Sequence, residues 1–251
     1  MTGTVVFQHG LGGGADQVAQ IWPEGTGLRR VTHLCRGHDS VPLGPDRPFT
    51  IPLFAQDVLA VSEEADRFVA AGISMGAAIA LYLACLHPDR VQALVLIRPA
   101  WAFTAAPPNM NPVAEMAALL RRLSPWAAAA AFRASDTGAW LAQDSPDNLS
   151  SLLGYADRDN STAFAEVLHD IASGHPGVTE AQVAALQLPC LVIGNDNDAI
   201  HPMACAETLA QTIPQARLLR VTAKSVARDL HQAEIRAAVA AFLAETSWSK
   251  P

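Results

Sequence analysis

Strand-like runs alternate with helix-like runs along most of this chain, and this alternation constrains its fold more than any other feature. The strand-like runs cover residues 4–8, 28–34, 67–71, 91–97, 190–194 and 217–221. Helix-like runs lie between or after them, at residues 15–21, 56–65, 77–86, 204–213 and 233–245. Such alternation is typical of a parallel sheet covered by helices on both faces. We predict an α/β fold with a mostly parallel, doubly wound sheet of about six strands.

The alternation stops for one long segment, residues 99–187. No convincing strand occurs there, and prolines punctuate a series of helical pieces, the clearest at residues 114–123, 125–134 and 162–173. Because sheet-like segments precede and follow the block, it is interpreted as an insertion. The predicted organisation is a core formed by residues 1–98 and 188–251, with a helical cap at residues 99–187.

Composition and charge exclude several classes of function. Half of the 251 residues are hydrophobic, 16% are charged, and the formal net charge is −7. This composition argues against disorder, and the acidic balance argues against a nucleic-acid or anionic-membrane surface. The uncharged stretch at residues 68–86 is about long enough to span a bilayer. It contains Gly72, Ser74 and Gly76, however, and therefore favours a buried strand, turn and helix.

The cysteines and the N-terminal residues indicate the compartment. Four cysteines are widely spaced, without a C-x-x-C pair, as is typical of reduced thiols. The first residues lead directly into a strand and do not resemble a signal peptide. No spacing typical of a metal site, such as H-E-x-x-H, occurs. We expect a cytoplasmic protein without a membrane segment, a metal or an organic cofactor.

The motif Gly72-Ile73-Ser74-Met75-Gly76 lies between a strand-like and a helix-like run. A serine on so tight a turn needs small neighbours, because its backbone adopts a strained conformation that exposes Oγ. The next N–H group, that of Met75, would lie at the positive end of a helix, where it can stabilise an oxyanion. The pattern alone also fits a turn with a helix-capping serine.

Further reactive residues follow other predicted strands. The glycine loop His9–Gly14 follows the first strand, Asp196 and Asp198 follow the fifth, and His231 follows the last. Ligands of open parallel sheets bind beyond the carboxyl ends of the strands. A nucleophile, an acid, a base and a loop of exposed N–H groups are therefore expected at one edge.

The chain order Ser, Asp, His resembles that of the α/β-hydrolase superfamily. The elbow motif, the run His87-Pro88-Asp89-Arg90-Val91 and the pair His9-Gly10 are similar to its nucleophile and oxyanion segments. Relative to that superfamily, we expect the first two edge strands to be absent, and Asp39 stands where a glycine is commoner. The helical block lies where that superfamily inserts its caps.

The resemblance implies a serine hydrolase that cleaves a carboxylic ester, lactone or thioester through an acyl-enzyme intermediate. Ser74 would be the nucleophile, His231 the base and Asp198 the acid. Asp198 is preferred because Pro202 follows it at the spacing of the superfamily; Asp196 is the alternative.

Backbone groups and cap residues complete the predicted site. The N–H groups of Leu11 and Met75 would form the oxyanion hole. Trp101, Arg98 and Trp126 are predicted to bind a small-molecule substrate with an acyl or lactone carbonyl. The wider set of candidate lining residues is Phe103, Met110, Phe132, Trp140, Tyr155 and Phe164.

The remaining histidines are interpreted as structural. His9 is expected to brace its glycine loop. His38 and His201 lie near the predicted catalytic edge and are interpreted as surface residues, with substrate contact as the alternative.

Two other functions remain open. Gly10 to Ala15 satisfies the dinucleotide-binding pattern G-x-G-x-x-A, and Arg36 could suit the 2′-phosphate of NADP in a reductase. Neither Tyr82 nor Tyr155 has a lysine four residues later, as short-chain reductases do. The second alternative is a hydrolase-like protein that binds a small molecule without turning it over.

Overall fold

Six parallel strands form the central sheet of the computed structural model, which describes residues 3–62 and 65–246. They are β1 (Thr4–Gln8), β2 (Arg29–Val31), β3 (Phe68–Ile73), β4 (Val91–Ile97), β5 (Cys190–Asn195) and β6 (Ala216–Val221). Their order is β2-β1-β3-β4-β5-β6, and each neighbouring pair is parallel. The predicted α/β fold with a six-stranded parallel sheet is confirmed.

The central strands are buried on both faces, which explains their nearly continuous apolar sequence. Val6 of β1 belongs to a hydrophobic cluster with residues of the helices that follow β2 and β3. Val5 and Phe7 point to the opposite face and pack in a second cluster with residues of the first and last helices. The sheet therefore separates two hydrophobic layers.

Among the described residues, five helices outside the inserted block flank the sheet. They are α1 (Ala15–Ala19), α2 (Ile51–Val61), α3 (Met75–Leu86), α10 (Met203–Thr212) and α11 (Arg228–Glu245). Helix α2 begins earlier than predicted because the Thr50 side chain accepts a hydrogen bond from Leu53 N–H, and Pro52 lies in the first turn. The predicted end of this helix crosses residues 63–64, outside the described residues.

Residues 99–187 contain helices and no strand in the structure. A 3-10 turn (Pro108–Met110) precedes α4 (Asn111–Leu120), α5 (Pro125–Ala134), α6 (Asp136–Asp144), α7 (Pro146–Leu153), α8 (Ser161–Ala172) and α9 (Glu180–Ala184). Sequence analysis missed α6, α7 and α9. Ser135 ends α5 and caps α6, so no loop separates these two helices. That this block acts as a cap remains a prediction.

The strand order places a crevice beside β1 and β3. The chain passes from β1 to β2 on one side and then to β3 on the other side of β1, so the winding direction reverses between β1 and β3. Ligands of open parallel sheets bind at such reversals. The glycine loop after β1 and Ser74 after β3 lie at this point.

Three properties of the described residues bear on the remaining predictions. None of their helices is long and apolar enough to cross a membrane. No group of three His, Cys, Asp or Glu side chains within residues 3–62 and 65–246 could hold a metal ion. All four cysteines are free thiols.

Candidate active site

Ser74 occupies a strained elbow between β3 and α3. Its φ and ψ angles are 55° and −112°, a conformation that non-glycine residues rarely adopt. A Cβ atom at Gly72 would overlap the Gly76 carbonyl, and one at Gly76 would overlap the Gln8 carbonyl. The two glycines are therefore required for the close approach of β1, β3 and α3.

Ser74, His201 and Asp198 form a continuous hydrogen-bonded chain. His201 Nε2 lies 2.8 Å from Ser74 Oγ. His201 Nδ1 lies 2.8 Å from Asp198 Oδ1. Because a carboxylate only accepts hydrogen bonds, Nδ1 carries the proton in the neutral ring, and Nε2 presents its lone pair to the serine. The chain has the geometry of a nucleophile, a base and an orienting acid.

His231, predicted to be the base, does not contact the serine. Its Nδ1 donates to the Thr222 carbonyl at 2.8 Å, and within the described residues it forms no hydrogen bond with Ser74 or Asp198. The reason is that α11 begins at Arg228, five residues earlier than predicted. His231 therefore lies in the first turn of the helix, and its backbone N–H bonds to the Ala227 carbonyl.

The interpretation of His201 as a surface residue is wrong, because only 9% of its side chain is exposed. Its loop is fastened by side chains of the inserted block. Ser145 Oγ bonds to Asn197 O and Ala199 N, and Asn148 Oδ1 accepts from Ile200 N. Asn109 Nδ2 donates to Ile200 O. A sequence signal was present, since an aspartate followed three residues later by a histidine in a strand-end loop can form a local turn.

Arg98 lies on the other side of Asp198. Its Nε donates to Asp198 Oδ2 at 2.7 Å, and Nη2 lies 3.2 Å from His201 Nδ1. Since Arg98 Nη2 and His201 Nδ1 both carry protons, the contact between them is a close approach and not a hydrogen bond. Arg98 has a φ of 50°, in the left-handed region, as do Ser74 and Asn197 at the same edge of the sheet. It was predicted to bind substrate, and the structure pairs it with the acid.

Burial and charge set the protonation of these groups. Burial opposes ionisation of Asp198, but the positive charge of Arg98 and the hydrogen bonds from Arg98 and His201 outweigh it and hold the Asp198 pKa below its usual range. Burial lowers the pKa of His201, and Arg98 lowers it further against the opposing effect of Asp198. At neutral pH the site therefore holds a carboxylate and a neutral imidazole.

The alternative acid, Asp196, lies outside this chain of contacts. Its carboxylate pairs with Arg220 at 2.8 Å, and its side chain is 55% exposed. The structure therefore places Asp198, and not Asp196, against a histidine.

Several N–H groups of the glycine loop have partners within the described part of the chain, but that of Leu11, which lines the same cavity as Ser74, does not. Gly10 N–H donates to Gln17, Gly12 N–H to His38 Nε2, and Gly13 N–H to the Gly10 carbonyl. Leu11 N–H has no hydrogen-bond partner among the described residues, and the same holds for Met75 N–H in the elbow. Both groups were predicted to form the oxyanion hole.

His9 and His38, which lie after β1 and β2, hold this loop by hydrogen bonds to its backbone. His9 Nδ1 donates to the Gly10 carbonyl, while His9 Nε2 accepts from Cys35 N–H. His38 Nε2 accepts from Gly12 N–H, so its Nδ1 donates to the Arg36 carbonyl. Both rings must be neutral for these roles. Burial lowers the pKa of His9, and burial together with neighbouring His9 lowers the pKa of His38 to about 3.

Side chains of the inserted block also form hydrogen bonds with the backbone of the loop. The Tyr155 hydroxyl donates to the Leu11 carbonyl, and Arg158 Nη1 donates to the Gly12 carbonyl at 3.0 Å. Arg158 and Asn160 both donate to the Gly37 carbonyl. Sequence analysis missed Arg158 and Asn160.

A cavity of about 70 Å³ opens at the serine. Its walls come from the glycine loop, the strand ends and the inserted block, and they include Leu11, Ser74, Arg98, Trp101, Met110 and Tyr155. Trp101 and Arg98 thus lie where substrate-binding residues were predicted. Trp126 does not line this cavity: it is 81% exposed on α5. Phe103, Phe132, Trp140 and Phe164 are also absent from the lining.

Comparison with protein families identifies the family of this chain. The model of the Hydrolase_4 family, described as serine aminopeptidase, S33, matches residues 51–232, more than half of the chain. The chain belongs to this α/β-hydrolase family. As a member it is a hydrolase, and the resemblance inferred from its motifs is confirmed.

Individual relatives of this α/β-hydrolase are distant. It is 29% identical over 243 residues to the pimeloyl-[acyl-carrier protein] methyl ester esterase of Aromatoleum aromaticum, covering 86% of this chain and 88% of the relative. The enol-lactonase from Burkholderia xenovorans LB400 superposes with a TM-score of 0.72 at 24% identity, covering 98% and 92% of the two chains. The hydrolase MGS-M2 from a Medee basin deep-sea metagenome superposes with a TM-score of 0.74 at 15% identity, covering 99% and 92%. These structural likenesses concern the fold.

Proposed function

We propose that this protein hydrolyses a carboxylic ester, lactone or thioester through an acyl-enzyme on Ser74, with His201 as the base and Asp198 as the acid. The observation that carries the proposal is the hydrogen-bonded chain from Ser74 Oγ through the His201 ring to Asp198 Oδ1, with both distances 2.8 Å. This assignment replaces His231, predicted from the sequence, by His201.

The first half of the reaction forms the acyl-enzyme. Ser74 Oγ attacks the carbonyl carbon while its proton passes to His201 Nε2. Asp198 keeps the ring in the required tautomer and stabilises the imidazolium that forms. His201 then protonates the leaving oxygen or sulfur as the tetrahedral intermediate collapses.

The second half uses water in the same way. His201 takes a proton from water, and the water oxygen attacks the acyl carbon. His201 then returns that proton to Ser74 Oγ as the carboxylic acid product is released. In both halves the free N–H groups of Leu11 and Met75 are the proposed oxyanion donors. One such donor typically contributes about 10²–10³ in rate.

The cavity supports a substrate with a small, weakly polar group near the carbonyl. Among the described residues, its lining mixes apolar side chains with the polar groups of Asn148, Ser151 and Tyr155; it contains no carboxylate, and its one guanidinium, that of Arg98, is paired with Asp198. The relative from Aromatoleum is named as a methyl ester esterase, and the structural neighbour from Burkholderia as an enol-lactonase. Both names agree with an oxygen ester as the substrate class.

The dinucleotide reductase is disfavoured by the same loop. The N–H groups of Gly10, Gly12 and Gly13, which would bind a pyrophosphate, have partners within the protein. A Cβ atom at Gly12 would overlap the Tyr155 ring, so this face of the loop is covered. The non-catalytic binding protein remains the alternative that the experiment must distinguish.

The proposal is tested by labelling with a fluorophosphonate probe, with the adduct mapped by intact mass and peptide analysis. We expect a single adduct on Ser74, and none on Ser74→Ala. Hydrolysis of short p-nitrophenyl esters, lactones and thioesters should be lost in the same variant, while thermal unfolding remains cooperative. An adduct elsewhere, or ester hydrolysis retained by Ser74→Ala, would refute Ser74 as the nucleophile. A folded, unlabelled wild-type protein without esterase activity would favour the binding role.

A further inference from the structure

Arg98 holds Asp198 in an arrangement that the acid and the base do not provide by themselves. Asp198 and His201 are three residues apart on one loop, and Asp198 Oδ1 accepts both the backbone N–H of His201 and its Nδ1–H. The second oxygen, Oδ2, is occupied by Arg98 Nε at 2.7 Å. Each carboxylate oxygen thus faces a different partner, and rotation of the carboxylate would break bonds on both sides.

The backbone at Arg98 is held by a hydrogen bond to β5 and has a strained conformation. Arg98 follows β4, and its N–H donates to the Ile193 carbonyl of β5 at 2.7 Å. Its φ of 50° lies in the left-handed region, which costs a non-glycine residue about 1 kcal/mol or more. Only 15% of the Arg98 side chain and 3% of that of Asp198 are exposed. Strain at a buried ion pair beside a nucleophile is typical of a functional position.

We propose that Arg98 is a positioning residue of the hydrolytic site: it fixes the Asp198 carboxylate toward His201, and its positive charge beside the ring opposes protonation of His201. The inference rests on the proposed function, since it assumes that His201 is the base. It also replaces the role predicted for Arg98 from the sequence, which was substrate binding.

The charge effect follows from the geometry. Arg98 Nη2 lies 3.2 Å from the protonated Nδ1 of His201, so a second positive charge on the ring would face the guanidinium at short distance. The Asp198 charge, which would otherwise favour imidazolium, is shared with Arg98. A like charge at such short distance disfavours the charged form of a titratable group.

Other groups near His201 do not change this conclusion. Lys224, on the segment between β6 and α11, also disfavours a charged His201. Asp147 of the inserted block lies 3.9 Å from Lys224 and partly balances it. His231 lies on α11 with its Nδ1 bound to Thr222, and Ser74 carries no charge. The direct ionic contacts of the site are those among Arg98, Asp198 and His201.

The test is a titration of His201 by NMR in protein labelled with ¹⁵N-histidine, comparing wild type with Arg98→Met. The His201 signals are assigned with His201→Gln. We expect the His201 pKa to rise by about one unit or more in Arg98→Met. The acid limb of kcat/KM for a neutral ester should shift upward by the same amount.

Arg98→Lys is the matched control, because it keeps the positive charge and loses the planar fork that binds Oδ2. Its His201 pKa should stay nearer the wild-type value. Its kcat should fall roughly tenfold to a hundredfold, since the acid is less well placed. This variant also keeps the inference testable if Arg98→Met unfolds. If the His201 pKa rises in Arg98→Lys by the amount expected for Arg98→Met, the charge effect is contradicted.

Two outcomes would overturn the inference. An unchanged His201 pKa in folded Arg98→Met would refute the charge effect. A loss confined to KM, seen with anionic esters and absent with neutral ones, would make Arg98 a substrate-binding residue. The NMR titration reports on His201 whether or not Ser74 is the nucleophile. A failure of the proposed function would instead appear in the labelling experiment.

Discussion

At the scale of single residues, the site combines an acid and a base from one short loop. Asp198 and His201 are neighbours in sequence, and the turn between them is closed by a hydrogen bond from His201 N–H to Asp198. The histidine that the chain order suggested, His231, is held by the Thr222 carbonyl. Triads are recognised by geometry and not by sequence position, and the proposed function rests on such geometry.

The two histidines give a direct prediction. His201→Gln should lower kcat at least 10³-fold, because Ser74 loses the group that accepts its proton. His231→Gln should change kcat only a few-fold, since that ring binds a backbone carbonyl. Steady-state kinetics on one ester, with circular dichroism to verify folding, would measure both effects. A larger loss in His231→Gln than in His201→Gln would restore His231 as the base.

At the scale of elements, the segment between α7 and α8 connects the inserted block to the glycine loop. Arg158 donates to the Gly12 and Gly37 carbonyls, and its guanidinium lies 4.2 Å from the centre of the Phe164 ring. The Tyr155 hydroxyl donates to the Leu11 carbonyl. The proposed oxyanion loop is therefore fixed between two histidines of the core and two side chains of the inserted block.

Loss of this connection should affect catalysis more than stability. Arg158→Met removes the bonds to Gly12 and Gly37, so the Leu11 N–H should be less well ordered. We expect kcat to fall roughly tenfold, less than the roughly 10²–10³ typical of losing an oxyanion donor, because the Leu11 N–H group is kept and only its position is loosened; KM should change less. Kinetic constants and urea unfolding of the variant would measure both.

Arg121→Met is the matched control for this prediction. Arg121 pairs with Glu166 at 2.9 Å on the exposed surface of the inserted block, and within the described residues it forms no side-chain hydrogen bond or ion pair with the glycine loop. Exposed pairs contribute about 0–1 kcal/mol, so this variant should retain near-normal kcat. Equal losses of kcat in the two variants would show that the Arg158 contacts do not act on the loop.

At the scale of the whole molecule, several buried histidines make folding sensitive to acid. Burial is the main reason that the pKa values of His9, His33, His38, His201 and His231 lie below the usual histidine value. In the unfolded chain these residues take up protons near pH 6.5. Between that pH and their folded pKa values, the unfolded state binds more protons than the native state. The free energy of unfolding therefore falls as the pH falls below about 6.5.

This dependence predicts a specific effect of His38. Its pKa of about 3 means that it should contribute a slope of up to about 1.4 kcal/mol per pH unit between roughly pH 6 and pH 4. His38→Gln keeps an acceptor for Gly12 N–H and removes the titration. Urea unfolding at a series of pH values should show a shallower decline for the variant below pH 6 and parallel curves above pH 7. Identical slopes below pH 6 would contradict a neutral, buried His38.

Much of the fold was predictable because it depends on local patterns. The bounds of β1, β4 and α5 match the prediction, since buried strands are short apolar runs and α5 begins at a proline after a capping serine. Helices α6 and α7 were missed because short polar caps separate them instead of loops. The start of α11 was also missed. The sequence therefore predicted His231 in the loop before the helix, whereas His231 lies within the helix.

The sequence by itself determined the parallel sheet, the elbow that carries Ser74 and the pair of aspartates at the end of β5, because each depends on residues close together along the chain. Only the tertiary structure decided which histidine reaches the serine. That choice depends on Asn109, Ser145 and Asn148 of the inserted block, which fasten the His201 loop, and on the register of α11, which directs His231 to Thr222. These contacts join segments far apart in the chain. The position of a side chain to within a few ångströms depends on such packing and not on the local sequence pattern.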